Sequence, residues 1–328
     1  MSSIPYSRYL IGPVPWYSFL IVAGVVLAIL LSCREERRQN LPKDTVIDLV
    51  LRLLPFGIIG ARLYYVVFSW DQFRHNLLSV FRIWEGGIAI YGGIIAGVIV
   101  LFLFCRKRKI SPLIMCDIIA PGLVLAQSIG RWGNWFNIEA YGWTVTRPEL
   151  CFFPLSLQVP SDGFSWHLAT FFYESVWDML IFLFLLFSRH RILRRQGDVF
   201  FFYLFLYGAG RLIIEEMRTD SLYAASSVRI SQLLSIVVCM AIIFRYAFLL
   251  HKTLHRVPAV PLLFLIISAG VTSVVFYCTI TGSFPVSRSS LFTVLFLSLY
   301  SFLMVLSFFI IYHSVSSREV ISDADNCP

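Results

Sequence analysis

Charged residues are scarce in this chain: Asp, Glu, Lys and Arg supply 14% of its 328 residues, whereas 58% are hydrophobic. Soluble domains carry about 25% charged and about 45–50% apolar residues, so this chain has too few charges to coat a water-facing globule. The same composition excludes long disorder, a collagen-like repeat and a disulfide-rich secreted scaffold. The sequence therefore indicates a membrane protein.

Cysteine pairs with metal-ligand spacing are also lacking. The seven cysteines form no Cys-x-x-Cys pair and have no histidine partners at the spacing of a zinc site. Most of them fall inside apolar runs, where cysteine behaves as a small hydrophobic residue. We therefore expect no metal site and no disulfide framework.

Basic residues outnumber acidic ones, which gives a net charge of +8. They occur in short clusters between apolar runs, at Arg34–Arg38, Arg106–Lys109, Arg189–Arg195 and Lys252–Arg256. This pattern is typical of cytoplasmic loops that face anionic lipid head groups. We therefore expect a membrane surface beside these loops and no nucleic-acid partner.

Long apolar runs predict an all-α fold, that of a polytopic integral membrane protein. A spanning helix needs about 20 mostly apolar residues, and about nine runs meet that requirement. They lie at residues 13–32, 45–68, 87–105, 113–130, 169–187, 199–217, 229–250, 258–280 and 289–313. The excess of Lys and Arg in alternate loops predicts an extracytoplasmic N-terminus and a cytoplasmic C-terminus. In this topology residues 131–168, between spans four and five, form a small extracytoplasmic head.

Polar residues gather where the fourth apolar run ends, in the segment Gly130–Gly142. Arg131 offers a planar fork for phosphate, and Asn134 can orient ester or hydroxyl oxygens. The glycines of the segment let the backbone approach a head group closely. A helix end that merely caps itself is the alternative, but the density of polar groups favours a functional site.

A second polar set lies in the sixth apolar run. Tyr207, Arg211 and Glu215 are spaced four residues apart and therefore share one helix face. Arg211 and Glu215 can pair, which lowers the cost of placing either charge in a membrane. The pair either stabilises the packing of the helix bundle, or Arg211 is a second cation that binds a lipid phosphate.

A third segment, Trp84–Gly93, begins the third apolar run. Two Gly-Gly pairs bracket Tyr91. The glycines either form a tight turn with close helix packing or clear space for a ligand that Tyr91 contacts by a hydrogen bond.

In this order, the three segments resemble the prolipoprotein diacylglyceryl transferase family. The Gly-Arg-x-Gly-Asn-x-x-Asn-x-Glu core that begins at Gly130 is similar to the signature of that family. The segments Gly60–Tyr65 and Thr170–Glu174 also resemble family segments, and the resemblance covers roughly residues 12–250.

The resemblance implies a bacterial inner-membrane transferase that uses no cofactor. The implied reaction moves diacylglyceryl from phosphatidylglycerol to the lipobox cysteine of a prolipoprotein signal peptide and releases glycerol 1-phosphate. It is the first step of lipoprotein maturation. The family has seven spans, so residues 1–257 form the expected transferase core. Residues 258–328 then add an extension with two further transmembrane helices and a cytoplasmic tail.

The expected site residues are the positions that match the family, together with Tyr91. The expected catalytic residues are Arg131, Arg211, Tyr91, Glu139 and Glu215. The residues expected to bind phosphatidylglycerol are Arg131, Asn134, Tyr17, Tyr207 and Gly142.

The chain departs from the family at Tyr91, where many relatives have histidine. A histidine base is therefore not available at this position, and an ordinary tyrosine is a poor proton acceptor at neutral pH. The identity of the general base stays open.

A transporter or channel is the main rival interpretation. Its charged residues are expected near the membrane midplane, whereas the charged residues of this chain gather at the outer ends of spans four and six. A non-catalytic assembly factor is the second rival, and it would tolerate neutral substitution of Arg131.

Overall fold

A computed structural model describes residues 7–74, 76–221, 223–225, 228–254 and 291–325. Most of these residues are helical. The helices are α1 (Trp16–Arg38), α2 (Thr45–Phe68), α3 (Trp70–Phe73), α4 (Ile90–Arg108), α5 (Pro112–Asn137), α6 (Thr170–Ser188), α7 (Asp198–Met217), α8 (Ile230–Leu254) and α9 (Leu291–Asp325). Three antiparallel pairs of short strands complete the fold: β1 (Tyr9–Ile11) with β2 (Val14–Pro15), β3 (Ser156–Val159) with β4 (Ser165–Leu168), and β5 (Tyr223–Ala225) with β6 (Val228–Arg229).

The described helices confirm an all-α, multi-pass membrane protein. Six of them are long and apolar enough to cross a membrane, namely α1, α4, α5, α6, α8 and α9. Helices α2 and α7 coincide with predicted spans but are not among these six helices. The predicted span at residues 258–280 lies outside the described residues.

Helix α5 is longer than the sequence pattern indicated. It continues to Asn137, about two turns beyond the predicted end of the fourth span at residue 130. The sequence placed the boundary where the apolar run stops, but Trp, Phe and Asn side chains continue the helix beyond it. Arg131 and Asn134 therefore lie on a regular helix, which fixes their spacing.

The chain divides into two compact units. The first contains residues 1–24, 124–188 and 201–328, and the second contains residues 25–123 and 189–200.

In the first unit, α9 packs against α7 and α8 through aromatic rings. Phe308 is fully buried, with its ring centroid 4.3 Å from Phe205, 4.6 Å from Phe202 and 5.3 Å from Tyr246. Aromatic rings at these separations add to stability beyond the area that they bury. One face of α7 is thus fixed by aromatic packing. Arg211 and Glu215 do not take part in that packing.

The segment between α5 and α6 forms a small folded head. Strands β3 and β4 pair in register from Ser156–Leu168 to Val159–Ser165. Leu157, Val159 and Phe171 are buried in a core that joins this hairpin to the start of α6. The head is therefore anchored to the helix that carries Glu174.

In the second unit, α2 packs along α4, and a buried arginine organises the loop between them. The Arg62 side chain donates hydrogen bonds to five carbonyl oxygens, those of Ser79, Val80, Arg82, Gly86 and Gly87. A guanidinium has five N–H donors, so this loop matches its full capacity. The conformation of the glycine-rich segment before Tyr91 is consequently set by Arg62.

Candidate active site

Glu174, on the second turn of α6, is the centre of a charged cluster. Its side chain is 5% exposed and contacts three arginines. Arg131 Nε lies 2.9 Å from Oε2, Arg211 Nη1 pairs with Oε1, and Arg218 Nη1 lies 3.4 Å from Oε2. A buried carboxylate is stable only when paired, and Glu174 gathers arginines from two other segments.

Helix α7 supplies the pair that the sequence predicted. Arg211 Nη2 lies 2.5 Å from Glu215 Oε2, one turn further along the same helix. Arg211 therefore bridges Glu215 and Glu174 with its two terminal nitrogens. The predicted Arg211–Glu215 pair is confirmed, and it is part of a larger network.

Arg218, just beyond the end of α7, is held by a second carboxylate. Its Nη2 lies 2.7 Å from Asp220 Oδ2. Burial lowers the pKa of Arg218, but the hydrogen bond to Asp220 and the charge of Glu174 outweigh burial and raise it above its usual value. Burial likewise raises the pKa of Asp220, yet the hydrogen bond from Arg218 brings it below its usual range. Both groups therefore carry their full charges at neutral pH.

The chain after α5 turns sharply to close the site. Ile138 and Ala140 have φ angles of 56° and 55°, in the left-handed region that side chains other than glycine rarely adopt. Thr170 Oγ1 donates to the Ala140 carbonyl at 2.6 Å, which ties this turn to the first residue of α6. Strain of this kind persists only where the surrounding structure enforces it, and it concentrates at functional sites.

Gly142 contacts strand β4 and the end of helix α7. Its N–H donates to the Leu168 carbonyl at 2.8 Å, and its carbonyl contacts His167 Nδ1 at 2.9 Å. A Cβ atom at this position would lie 2.6 Å from the Met217 carbonyl oxygen, so only glycine fits. Both backbone groups are thus engaged within the protein, and Gly142 holds the head against the end of α7.

Tyr17 packs against α5 beside Arg131. A Cβ atom on Gly133 would lie 2.5 Å from Tyr17 Cδ2, so the tyrosine ring occupies the space that a larger residue would need. Trp16 stacks on Phe136, with ring centroids 4.9 Å apart. The start of α1 and the end of α5 therefore meet at the signature segment, with Asn134 one turn beyond Arg131.

A small cavity adjoins the cluster. Glu174, Trp177, Asp178, Tyr207 and Arg211 contribute to its wall. Asp178 is 2% exposed, and its Oδ2 has no hydrogen-bond partner within the described residues. A buried carboxylate oxygen without a partner is costly, and the cavity beside it, about 10 Å³ in volume, has room for about one water molecule.

The other two predicted catalytic residues are Glu139 and Tyr91. Glu139 is exposed and lines a separate cavity with Tyr141, His167 and Asp220. Among the described residues it makes no ion pair with the arginine cluster. Tyr91 lies in the first turn of α4, in the second unit, with its ring centroid 6.4 Å from that of Tyr64.

The sequence interpretation missed Glu174, Asp178 and Arg218. Glu174 and Asp178 are carboxylates inside an apolar run, and such residues mark function more often in a membrane than in water. That signal was present in the sequence. Their partners were not visible, because Arg131 and Arg211 approach from other helices.

Comparison with known proteins identifies the family. The sequence profile described as prolipoprotein diacylglyceryl transferase matches residues 8–248. The chain belongs to this family. A curated relative from Streptococcus mutans, named phosphatidylglycerol–prolipoprotein diacylglyceryl transferase, is 45% identical over 253 residues, which cover 76% of this chain and 95% of the relative. A relative of the same name from Streptococcus sanguinis is 47% identical over 234 residues, covering 70% and 89% respectively.

The family match contains the whole charged cluster. Arg131, Glu174, Arg211, Glu215 and Arg218 all lie within residues 8–248. Helix α9 lies beyond the match, although it packs on α7. All residues of the charged cluster therefore belong to the part of the chain that matches the prolipoprotein diacylglyceryl transferase family. Helix α9 lies outside that part and packs against α7, which carries Arg211 and Glu215.

Proposed function

We propose that this protein transfers the diacylglyceryl group of phosphatidylglycerol to the lipobox cysteine thiol of a prolipoprotein. The products are a thioether-linked prolipoprotein and glycerol 1-phosphate, and the reaction is the first step of lipoprotein maturation. Family membership supports this proposal. The observation that carries it is the convergence of Arg131, Arg211 and Arg218 on buried Glu174, because this cluster presents guanidinium groups to a phosphate from within a membrane protein.

The arginines hold the leaving group. Thiolate sulfur attacks the glycerol carbon that bears the phosphate ester, the C–O bond breaks, and the electron pair stays on the phosphate oxygen. Arg131 meets Glu174 through Nε, so we assign its two terminal nitrogens to the phosphate. Donors that are aimed at developing charge commonly supply the largest part of a rate enhancement. Glu174 and Glu215 position these donors.

Asp178 is the proton acceptor that we assign to the thiol. Asp178 lines the small cavity with Arg211 and Tyr207, and its Oδ2 has no hydrogen-bond partner among the described residues. A carboxylate can take the proton that the cysteine must lose. Free cysteine is mostly protonated at neutral pH, so a nearby base accelerates attack. This assignment fits a chain that has Tyr91 where many family members have histidine.

The remaining site residues bind or position the substrates. We assign Asn134, Tyr17 and Tyr207 to the lipid head group, since they lie around Arg131 or line the cavity. Gly142 positions the folded segment between α5 and α6, because its backbone N–H and carbonyl are both engaged within the protein. Glu139, which lines a separate cavity with Tyr141 and Asp220, is assigned to the precursor peptide. Tyr91 is assigned to a hydrogen bond with the substrate.

The proposed topology has nine spans in the bacterial inner membrane. A seven-span core occupies residues 1–257, and residues 258–328 add two spans and a cytoplasmic tail. The N-terminus and the head are extracytoplasmic, and the head lies between spans four and five. The test is labelling of single cysteines by an impermeant maleimide in a background without native cysteines. Ser161→Cys should react in intact cells, whereas Gln39→Cys should react only after lysis; the reverse pattern would overturn this topology.

Transfer is tested with the purified full chain, phosphatidylglycerol vesicles and a lipobox peptide, followed by mass spectrometry. The peptide should gain one diacylglyceryl group as glycerol 1-phosphate appears. Arg131→Gln should abolish the gain, and Arg108→Gln should not, because Arg108 pairs with Asp48 in the second unit. A folded wild-type protein that produced no lipidated peptide would refute the proposal.

A further inference from the structure

The second unit contains a polar cavity of about 550 Å³ that the proposed reaction does not use. Its wall is formed by the last turns of α1, by part of α5 and by the loop at residues 189–197. Cavities of this size accommodate small ligands. The proposed topology places this cavity on the cytoplasmic side of the membrane.

The acidic groups of this cavity are already committed to other partners. Glu35 is 1% exposed, pairs with Arg189 and accepts a hydrogen bond from Gln39 Nε2 at 3.2 Å. The Asp117 carboxylate accepts the N–H groups of Gly197 and Phe200 at 2.5 and 2.8 Å. These carboxylates therefore shape the cavity and are not available to a ligand cation.

The basic groups exceed the acidic ones. Four arginines line the cavity against two carboxylates, and two of them, Arg38 and Arg194, are exposed residues at its rim. Burial lowers the pKa of the His190 imidazole, the charge of Glu35 opposes this, and the charges of Arg38 and Arg189 add to the lowering. A positive cavity with several guanidinium groups is complementary to phosphate oxygens.

We propose that this cavity binds a phosphate-bearing anion, with Arg38 and Arg194 as the principal ligands and Arg189 held in place by Glu35. Two sources share this chemistry: the head group of an anionic phospholipid in the adjacent leaflet and a soluble phosphate. Basic pockets at the cytoplasmic ends of membrane helices are a known mode of lipid head-group recognition. The site is separate from the transfer chemistry, because none of the cluster residues lines it.

The test uses the full chain in phosphatidylcholine nanodiscs, with no precursor peptide present. Inorganic phosphate is titrated in one arm, and phosphatidic acid is incorporated in the other. Bound ligand is counted by native mass spectrometry and checked by the rise in melting temperature that a ligand specific for the native state produces. The Arg38→Gln/Arg194→Gln variant is compared with Arg34→Gln/Arg37→Gln, which removes the same charge from exposed positions that do not line the cavity.

We expect the cavity variant to bind about tenfold more weakly or worse, since it loses charge-assisted hydrogen bonds, while the control variant binds as wild type does. A response to inorganic phosphate alone identifies a soluble ligand. A response to phosphatidic acid only identifies a lipid head group. Equal loss in both variants would reveal general surface attraction and overturn the proposal, as would binding that neither variant changes or no binding in either arm. Because no transfer is measured, these outcomes are independent of the proposed reaction.

Discussion

Glu174 determines how the arginines of the site are presented. Its two oxygens meet Arg131, Arg211 and Arg218, which arise from α5 and from the end of α7. Replacing a planar, two-pronged guanidinium by a single ammonium removes this geometry even when the charge is kept.

Arg211→Lys should therefore fail although the charge remains. One ammonium on a different stem does not bridge Glu174 and Glu215 as Nη1 and Nη2 do. We expect the transfer rate to fall by about 10²-fold, the scale of losing one preorganised donor. Steady-state kinetics with the lipobox peptide measure the change, and Arg108→Lys is the matched control. A wild-type rate in Arg211→Lys would show that the bridge is dispensable.

Asp178→Asn tests the proton acceptor. The amide keeps the shape but does not take a proton, so the rate at pH 7 should fall by about 10²-fold or more. The loss should diminish as pH rises toward the ordinary thiol pKa of about 8.5, because a thiolate that is already ionised needs no base. A pH–rate profile of the variant parallel to that of wild type would remove Asp178 from this role.

Sequence alone reached part of this residue-level description. Arg131 and the Arg211–Glu215 pair were predicted because local spacing and a signature carry that information. Glu174 was missed, although it lies in a segment that resembled the family, because its role depends on partners that are distant in sequence. Only the fold brings residues 131, 174 and 211 together.

At the scale of elements, the closeness of α1 and α5 is a testable feature. Gly133→Ala places a Cβ 2.5 Å from Tyr17 and must displace that ring, whereas Gly130→Ala finds its nearest atom, Ile21 Cγ1, at 4.0 Å. Both changes raise helix propensity by about 1 kcal/mol. We expect Gly130→Ala to preserve activity and Gly133→Ala to weaken phosphatidylglycerol binding, seen as a higher KM. Equal KM values would contradict the close contact.

Helix α9 supports α7 from outside the family match. Phe308→Ala should destabilise the protein by about 3 kcal/mol, since it removes a fully buried ring from an aromatic cluster. Phe302→Ala, on the same helix, should have little effect because Phe302 is 62% exposed. Thermal denaturation in detergent compares them. Similar melting temperatures for the two variants would show that α9 does not stabilise the core.

Hydropathy predicted the boundaries of one helix well and those of another less well. Helix α2 has the predicted bounds, 45–68, because apolar residues outnumber Asp48, Arg52 and Arg62 along that run. Helix α5 exceeded its prediction because Arg131 and Asn134 interrupt the apolar pattern without interrupting the backbone hydrogen bonds. The hydropathy pattern therefore stops before the true end of α5, because polar residues occupy the last turns of that helix.

At the scale of the whole molecule, charge is divided between two kinds of site. The first unit holds a buried network in which carboxylates position arginines, and the second holds an open cavity rich in arginine. Composition predicted a membrane protein and basic loops, since both are sums over the chain. It did not predict which charges meet, because that depends on tertiary contacts.

The most direct test of the account is the rate of diacylglyceryl transfer by Glu174→Gln relative to Glu216→Gln. Glu216 is a carboxylate on α7 that pairs with Arg229 at 2.8 Å, outside the Glu174 cluster. With both variants folded, as shown by their melting temperatures, Glu174→Gln should lose about 10²-fold or more in rate. Glu216→Gln should stay close to wild type. A Glu174→Gln variant as active as Glu216→Gln would contradict the claim that this cluster is the active site.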